Sequence, residues 1–220
     1  MRTLEYIQVG MTNLAVFNLP AVVRFARNDL RTLLLEAVNE SRNWDIEYSE
    51  VKWKGSVTKV VDRLYALRRE ARPSPVEMQE TEYLFTIKVK AYFVEKEEAF
   101  EIRPGVQSVF GHMEKEKNWK YCIISDYWKD VTHFILQSCG VFSKNKLTMT
   151  AEDGQNPEEQ IKRVVARLRK KNKGEPAVYL VNGDQSRIRL MLKKEISPRF
   201  EKDRVNYFYY PRFSQLFKST

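Results

Sequence analysis

The 220-residue chain carries 38 Lys and Arg against 29 Asp and Glu, a formal net charge of +9, and 43% of its residues are hydrophobic. This composition supports a packed core and excludes a disordered chain. No apolar run approaches the roughly 18 residues of a membrane span and the N-terminus lacks a signal-peptide pattern, so we expect a cytoplasmic protein whose Cys122 and Cys139 are free thiols.

The first half of the chain predicts an α/β unit that ends in a hairpin. In chain order its elements are a strand at Leu4–Val9, an amphipathic helix at Pro20–Asn43, a strand at Trp44–Trp53, a helix that starts at Val57, and a hairpin that pairs Glu82–Val94 with Ala99–Arg103. Residues 105–117 are polar and predict a linker.

The second half predicts a similar order of elements. They are a strand at Trp119–Ser125, a helix at Asp130–Gly140, a strand at Lys146–Ala151, a helix at Pro157–Lys173, and a hairpin that pairs Ala177–Val181 with Arg187–Leu192 across the turn NGDQ. A basic and aromatic segment, residues 198–220, follows.

Two predicted helices share one apolar pattern at a constant offset of 104 residues. The matching positions are Val57, Val60, Val61 and Leu64 with Ile161, Val164, Val165 and Leu168. We therefore predict an α+β protein of two related β-α-β-α-β-β units, at residues 1–104 and 118–197, which is a possible internal duplication. Each unit would have a mixed or antiparallel sheet with helices on one face.

The positive charge is concentrated near the C-terminus. Residues 1–110 hold 16 basic and 16 acidic side chains, whereas residues 160–220 hold 16 and 5. A one-sided basic block is typical of polyanion binding. The candidate nucleic-acid-binding residues are Lys162, Arg163, Arg167, Arg169, Lys170, Lys171, Lys173, Arg187, Arg189, Lys193 and Arg212.

These residues predict a protein that binds RNA, or another single-stranded nucleic acid, within a nucleoprotein assembly, because cations neutralise phosphates and interleaved aromatic rings stack bases. Duplex DNA remains open, and no membrane partner is expected. An acidic protein partner would use the same charges, and the neutral first half would serve as a scaffold or docking face for protein partners. The oligomeric state is not predicted.

Catalytic and metal signals are sparse. Zinc spacings and Gly-rich phosphate loops are absent, so we expect neither a metal nor a cofactor, and a binding protein rather than an enzyme. A metal-independent endoribonuclease that uses His112 or His133 is an alternative. At fold level, the duplicated chain with its basic second half resembles the tandem ferredoxin-like endoribonucleases of CRISPR systems, although their Gly-rich C-terminal loop has no counterpart in NGDQSR.

Overall fold

The computed structural model describes residues 13–96, 98–115, 119–141, 147–172, 177–181 and 207–210. Its strands are β1 (Asn13–Asn18), β2 (Val23–Arg24), β3 (Glu101–Ile102), β4 (Trp119–Ile124), β5 (Leu147–Met149), β6 (Ala177–Val181) and β7 (Tyr207–Tyr210). Five of them form a parallel sheet in the order β5-β4-β1-β6-β7, and β2 and β3 form a separate antiparallel pair.

Seven α-helices lie in the described part of the chain. They are α1 (Leu19–Val22), α2 (Arg27–Arg42), α3 (Val57–Leu67), α4 (Pro75–Glu95), α5 (Val106–Lys115), α6 (Lys129–Ser138) and α7 (Pro157–Asn172). A short 3-10 helix spans Tyr48–Glu50. None of the described helices is long and apolar enough to cross a bilayer.

The central strand β1 is buried on both faces, which gives the sheet two helical layers. Leu14 and Val16 pack with the apolar face of α7 in a smaller core cluster. Ala15 and Phe17 point the other way, into a larger cluster that contains buried residues of α5 and α6. Successive side chains of a strand alternate between faces, so a strand covered on both sides reads as a continuous apolar run such as LAVF.

A helical insert separates β1 from the rest of the sheet. It comprises α2, α3 and α4, with α2 packed against α4, and we call residues 27–96 the helical insert. The chain leaves for the insert through β2 and returns through β3. Val23 pairs with Ile102 and Arg24 with Glu101, so this ribbon fixes both ends of the insert beside the sheet.

The prediction of a duplicated α+β protein with mixed or antiparallel sheets is wrong. β1, which the sequence analysis missed, pairs in parallel with both β4 and β6, so one sheet joins segments from distant parts of the chain. The helices predicted at Val57 and Ile161 exist and bury the predicted apolar faces. However, α3 belongs to the insert and α7 covers the sheet, so their common pattern reflects amphipathicity and not duplication.

Two predicted strands of the first half are wrong as well. Residues 44–53 contain the 3-10 helix, and Glu82–Val94 lies within α4. Ser74, Pro75 and Glu77 start that helix with a capping box, in which the Ser74 side chain accepts from the Glu77 N–H and the Glu77 carboxylate accepts from the Ser74 N–H.

Of the remaining predicted elements, three strands are confirmed as β4, β5 and β6, and the helix at Asp130–Gly140 is confirmed as α6. The predicted helix at Pro20–Asn43 is interrupted by β2, and α5 lies within the expected linker 105–117. The predicted strands Leu4–Val9 and Arg187–Leu192 lie outside the described residues.

Folding stability should depend on pH through Glu82, a partly buried residue of α4. Burial, with smaller contributions from the charges of Glu152 and Asp130, raises the pKa of Glu82 to about 7. Because this carboxyl holds its proton more tightly in the folded chain than its ordinary pKa allows, folding stability should fall as pH rises from about 4.5 through 7.

We expect Glu82→Gln to stabilise the fold at pH 8 by about 1–2 kcal/mol after allowance for solvent screening, and to leave stability at pH 4.5 nearly unchanged. Urea unfolding at both pH values measures this difference. Glu95→Gln, on the exposed part of the same helix, is the matched control. A Glu82→Gln effect that is the same at both pH values would contradict this account.

Candidate functional site

A cavity of about 110 Å³ lies where the carboxyl edge of the sheet meets the helical insert. The ends of β1 and β4 and the first turn of α7 line it from the sheet side, and α2 with residues 53–57 lines it from the insert. In open parallel sheets, ligands bind outside the carboxyl ends of the strands. The cavity is therefore the candidate site, and most of its lining is apolar.

The end of β1 presents an amide to the cavity. Asn18 is the last residue of the strand, and its Oδ1 accepts a hydrogen bond from the Ala21 N–H at 3.1 Å. The amide thus caps α1, whose early Pro20 has no N–H to donate. An uncharged amide in this position can form hydrogen bonds with a ligand but does not ionise.

The end of β4 presents a hydroxyl and a carboxylate. Ser125 is buried, and its Oγ accepts from the Tyr127 N–H at 3.1 Å and from the Thr132 hydroxyl at 2.8 Å. The next residue is Asp126. Its main-chain carbonyl accepts a hydrogen bond from the Val57 N–H at 2.9 Å, and this bond connects the insert to the sheet. Asp126 is the only carboxylate among the described residues that line the cavity.

Gln160 anchors the floor of the cavity. Its side chain is 1% exposed, and its Nε2 donates toward the carbonyls of Ser125 at 2.8 Å, Thr150 at 2.9 Å and Gly154 at 3.2 Å. This amide therefore joins the ends of β4 and β5 to α7. Its Oε1 and the indole Nε1 of Trp53, which also lines the cavity, are buried without a hydrogen-bond partner among the described residues.

Two arginines place positive charge on the cavity wall. Arg27 and Arg31 lie one turn apart on α2 and both line the cavity, and the Arg31 guanidinium sits 5.7 Å from the centre of the Trp53 ring. Arg103 donates to the Pro20 carbonyl at 2.6 Å. Burial lowers the pKa of Arg103, and the charges of Arg24 and Arg27 lower it further. Arg24 and Arg103 lie outside the cavity lining and Arg24 pairs with Glu101 at 3.6 Å, so Arg27 and Arg31 are the lining cations that would favour an anion.

The cysteine thiols offer no nucleophile to this site. Cys122 is buried within the sheet, and burial raises its pKa far above neutral. Burial also raises the pKa of Cys139 to about 11, with a smaller contribution from Glu101. Both thiols stay protonated at neutral pH, and neither lines the cavity.

The residues predicted to bind nucleic acid lie away from this cavity or outside the described residues. Lys162 and Arg163 are exposed on α7, and Lys162 forms an ion pair with Glu158 at 2.8 Å. Arg167 forms an ion pair with Asp153 at 3.2 Å. Arg169, Lys170 and Lys171 belong to α7 but their side chains are not described, and Lys173, Arg187, Arg189, Lys193 and Arg212 lie outside the described residues.

His133 does not line the cavity either, and the side chain of His112 is not described. His133 is half-buried on α6, and His112 belongs to α5. The sequence-based predictions include none of Asn18, Ser125, Asp126 and Gln160. The signal that could have found three of them is a polar residue directly after an apolar strand, as in AVFN and CIISD.

Comparisons with known proteins support the fold but give no family assignment. No family model matches the chain, and no curated protein matches it either. Sixty solved chains match by structure. CbbY from Rhodobacter sphaeroides in complex with phosphate has a TM-score of 0.54 at 11% identity, and the match covers 94% of this chain and 97% of that one.

Two further solved structures give the same result. A haloacid dehalogenase-like hydrolase from Bacteroides fragilis has a TM-score of 0.54 at 11% identity, with 94% of this chain and 100% of that one covered. The hydrolase YfnB from Bacillus subtilis, bound to magnesium, has a TM-score of 0.51 at 12% identity, with 94% and 97% covered. The chain therefore has the Rossmann-like parallel α/β fold of haloacid dehalogenase-like hydrolases.

The prediction of a nucleic-acid-binding protein is wrong, because these structural neighbours are hydrolases of the haloacid dehalogenase type. The same finding corrects the predicted RNA or DNA partner. It also corrects the two alternatives, an acidic protein partner and an endoribonuclease. The resemblance to tandem ferredoxin-like proteins fails because the five-stranded sheet is parallel. The excess of basic residues led to a wrong prediction because a charge count does not locate a binding site. In addition, two cations of α7, Lys162 and Arg167, already form ion pairs with acidic residues.

YfnB was solved bound to magnesium, but the described residues of this chain do not fit a dedicated magnesium site. Mg²⁺ prefers oxygen ligands, mainly carboxylates. Within the described ranges no group of three His, Cys, Asp or Glu side chains is placed to hold a metal ion. At the cavity, Asp126 supplies one carboxylate and the Asn18 oxygen already caps α1.

Proposed function

We propose that this protein binds a small phosphorylated metabolite in the cleft between the sheet and the helical insert, and that it does not hydrolyse it. The observation that carries the proposal is the pairing of two cavity-lining arginines, Arg27 and Arg31, with an edge that ends in Asn18 and holds one carboxylate, Asp126. The cleft thus favours an anion but offers few groups that could act as a nucleophile, base or acid toward it.

Anion binding is supported by the charges around the cleft. Guanidinium groups form short, charge-assisted hydrogen bonds with phosphate oxygens, often two at once. The first turn of α2 adds main-chain N–H groups and the positive end of a 16-residue helix. The apolar lining, from residues such as Leu30 and Leu34, would contact the carbon skeleton of the ligand.

The lack of hydrolysis follows from the chemistry of phosphoryl transfer. The reaction needs a nucleophile or base at the phosphorus atom and a group that protonates the leaving oxygen. Among the described lining residues only Asp126 carries a carboxylate, the Tyr127 phenol is the other acidic group, and an amide stands at the end of β1. The Ser125 hydroxyl is held by Thr132 and the Tyr127 N–H, with no base in contact.

The solved neighbours support the choice of ligand class. CbbY has been crystallised with phosphate. A point mutant of CbbY has been crystallised with xylulose-(1,5)bisphosphate, and that structure matches this chain with a TM-score of 0.53 at 12% identity. That protein, which has the same fold, therefore binds a phosphorylated sugar. A cytoplasmic location, where such metabolites occur, remains part of this proposal, and the two unpaired cysteines agree with it.

The proposal is tested by thermal shift and phosphate release on the full chain. We expect Tm to rise with sugar phosphates and inorganic phosphate but not with the matched unphosphorylated sugars, and no phosphate to be released in the presence of Mg²⁺. Phosphate release that Asp126→Asn abolishes would contradict the non-hydrolytic part. No Tm rise with any phosphorylated compound would contradict ligand binding itself.

A further inference from the structure

The outer face of α4 carries an apolar stripe that nothing in the described residues covers. Val76 is 73% exposed, Tyr83 66%, Ile87 43% and Val94 78%. Their spacings of seven, four and seven residues place all four within about 20° of one line along the helix, at about 100° per residue. The helix is 21 residues long, so the stripe runs along most of it.

This stripe is separate from the face that holds α4 in the fold. Thr81, Phe85 and Val89 are buried and lie on the opposite side of the helix, where α4 packs on α2. A surface helix that needed only to cover a core would be polar on its outer side. The apolar outer face of α4 therefore requires a second explanation.

The order of residues along the stripe is self-complementary. With Glu80 and Lys90, the stripe has the alternating four-and-three spacing of a coiled-coil seam: Val76, Glu80, Tyr83, Ile87, Lys90 and Val94. The members form three pairs equally distant from Phe85, namely Val76 with Val94, Glu80 with Lys90, and Tyr83 with Ile87. Each apolar residue is thus matched with an apolar one, and the acid with the base.

We infer that a second copy of this chain covers the stripe, with the two α4 helices antiparallel and Phe85 level with the partner's Phe85. In this arrangement Glu80 of each chain meets Lys90 of the other, which gives two ion pairs. The Tyr83 and Ile87 side chains pack between these ion pairs, and the Val76 and Val94 side chains pack outside them. A parallel arrangement would place the partner's Glu80 against Glu80 and the partner's Lys90 against Lys90, which like charges oppose.

The charges of the seam remain able to form these pairs. Glu80 holds Arg42 of its own chain through Oε2, and Arg42 is held a second time by Glu77 at 2.7 Å. The Lys90 Nζ lies 6.0 Å from the centre of the Phe134 ring, and its side chain is exposed. A seam of one helix from each chain buries a modest area, so we expect a reversible dimer with Kd on the order of micromolar.

Sedimentation velocity on the full chain, from below to well above micromolar concentration, tests the dimer. We expect the mass to approach twice the 26.1 kDa of one chain. Lys90→Glu should raise Kd at least tenfold, and so should Tyr83→Glu. Lys90→Glu combined with Glu80→Lys should recover the wild-type Kd. Lys115→Glu, an exposed lysine on α5, is the matched control. A monomer at all concentrations would overturn the inference.

Disulfide cross-linking tests the antiparallel register and does not depend on Glu80. In a Cys139→Ser background, a Val76→Cys chain mixed with a Val94→Cys chain should form a covalent dimer on oxidation. Val76→Cys alone should not, because 18 residues of helix separate the two thiols by about 27 Å. Efficient cross-linking of Val76→Cys to itself would overturn the antiparallel arrangement, as would a wild-type dimer that Tyr83→Glu and Lys90→Glu leave unchanged. Unchanged circular dichroism shows that each variant folds.

Discussion

Replacing Gln160 with Leu should lower the free energy of unfolding by about 3 kcal/mol. The side chain is buried, and the two N–H donors of its Nε2 are shared among the carbonyls of Ser125, Thr150 and Gly154. Each buried carbonyl left without its donor costs about 1–3 kcal/mol, and the three losses overlap because they share one nitrogen. The leucine would also place apolar atoms against the ends of β4 and β5.

Urea unfolding followed by circular dichroism measures this loss. Gln137→Leu, on the exposed side of α6, is the matched control and should change stability by less than about 0.5 kcal/mol. Gln160→Glu is a sharper variant, because it keeps the shape but presents an acceptor to three carbonyl oxygens; it should destabilise at least as much at neutral pH. If Gln160→Leu lowered the free energy of unfolding by less than about 1 kcal/mol, the conclusion that this amide joins β4, β5 and α7 would be wrong.

Removing both cavity-lining arginine charges should weaken phosphorylated-ligand binding by at least about 100-fold. Arg27 and Arg31 lie on one face of α2, and each would form charge-assisted hydrogen bonds with the phosphoryl group, which contribute about 1.5–3 kcal/mol each. The double variant Arg27→Gln, Arg31→Gln keeps helix-compatible side chains, so the fold should persist. Isothermal titration calorimetry with a sugar phosphate measures the change in Kd.

The matched control for this double variant is Arg163→Gln. Arg163 is exposed on α7 and lies outside the cavity lining, so its loss removes a positive charge without altering the cleft. We expect its Kd to stay within about twofold of the wild-type value. An equal loss of affinity in both variants would indicate that the ligand responds to net charge rather than to the two arginines of α2.

The sequence predicted local elements better than their assembly. β4, β6, α6 and the buried faces of α3 and α7 follow from local periodicity. The parallel sheet depends on β1, whose partners are more than 100 residues away, and local patterns carry no information about such pairing. Local patterns therefore predicted two separate units with mixed or antiparallel sheets, whereas β4, β5 and β6 of the predicted second unit lie in one parallel sheet with β1.

α4 was mistaken for a strand because it is apolar on two opposite sides. Phe85 and Val89 face the fold, while Tyr83 and Ile87 face outward, so the segment loses the 3.6-residue period of a one-sided helix. Apolar residues then occur at short intervals, as in a β-hairpin. The features that identify the helix are the capping box at Ser74 and the length of the apolar segment.

Single residues of the candidate site can be suspected because they follow apolar strands, but the site as a whole could not be predicted because its residues converge only through the topology. Asn18 and Ser125 are over 100 positions apart, and the parallel pairing of β1 with β4 places both strand ends at one edge. Arg27 and Arg31 reach that edge from the insert. Without strand order, these residues are ordinary polar positions, and the basic C-terminal segment gave a stronger but misplaced signal.

The measurement that tests the central claim most directly is a ³¹P NMR titration of the full chain with a sugar phosphate in the presence of Mg²⁺. One spectrum reports both binding and hydrolysis. We predict that the phosphorylated ligand resonance shifts or broadens with added protein, that the Arg27→Gln, Arg31→Gln variant removes this effect, and that no inorganic phosphate signal grows over hours. A growing inorganic phosphate signal, or a ligand resonance that the wild-type protein leaves unchanged, would contradict the account.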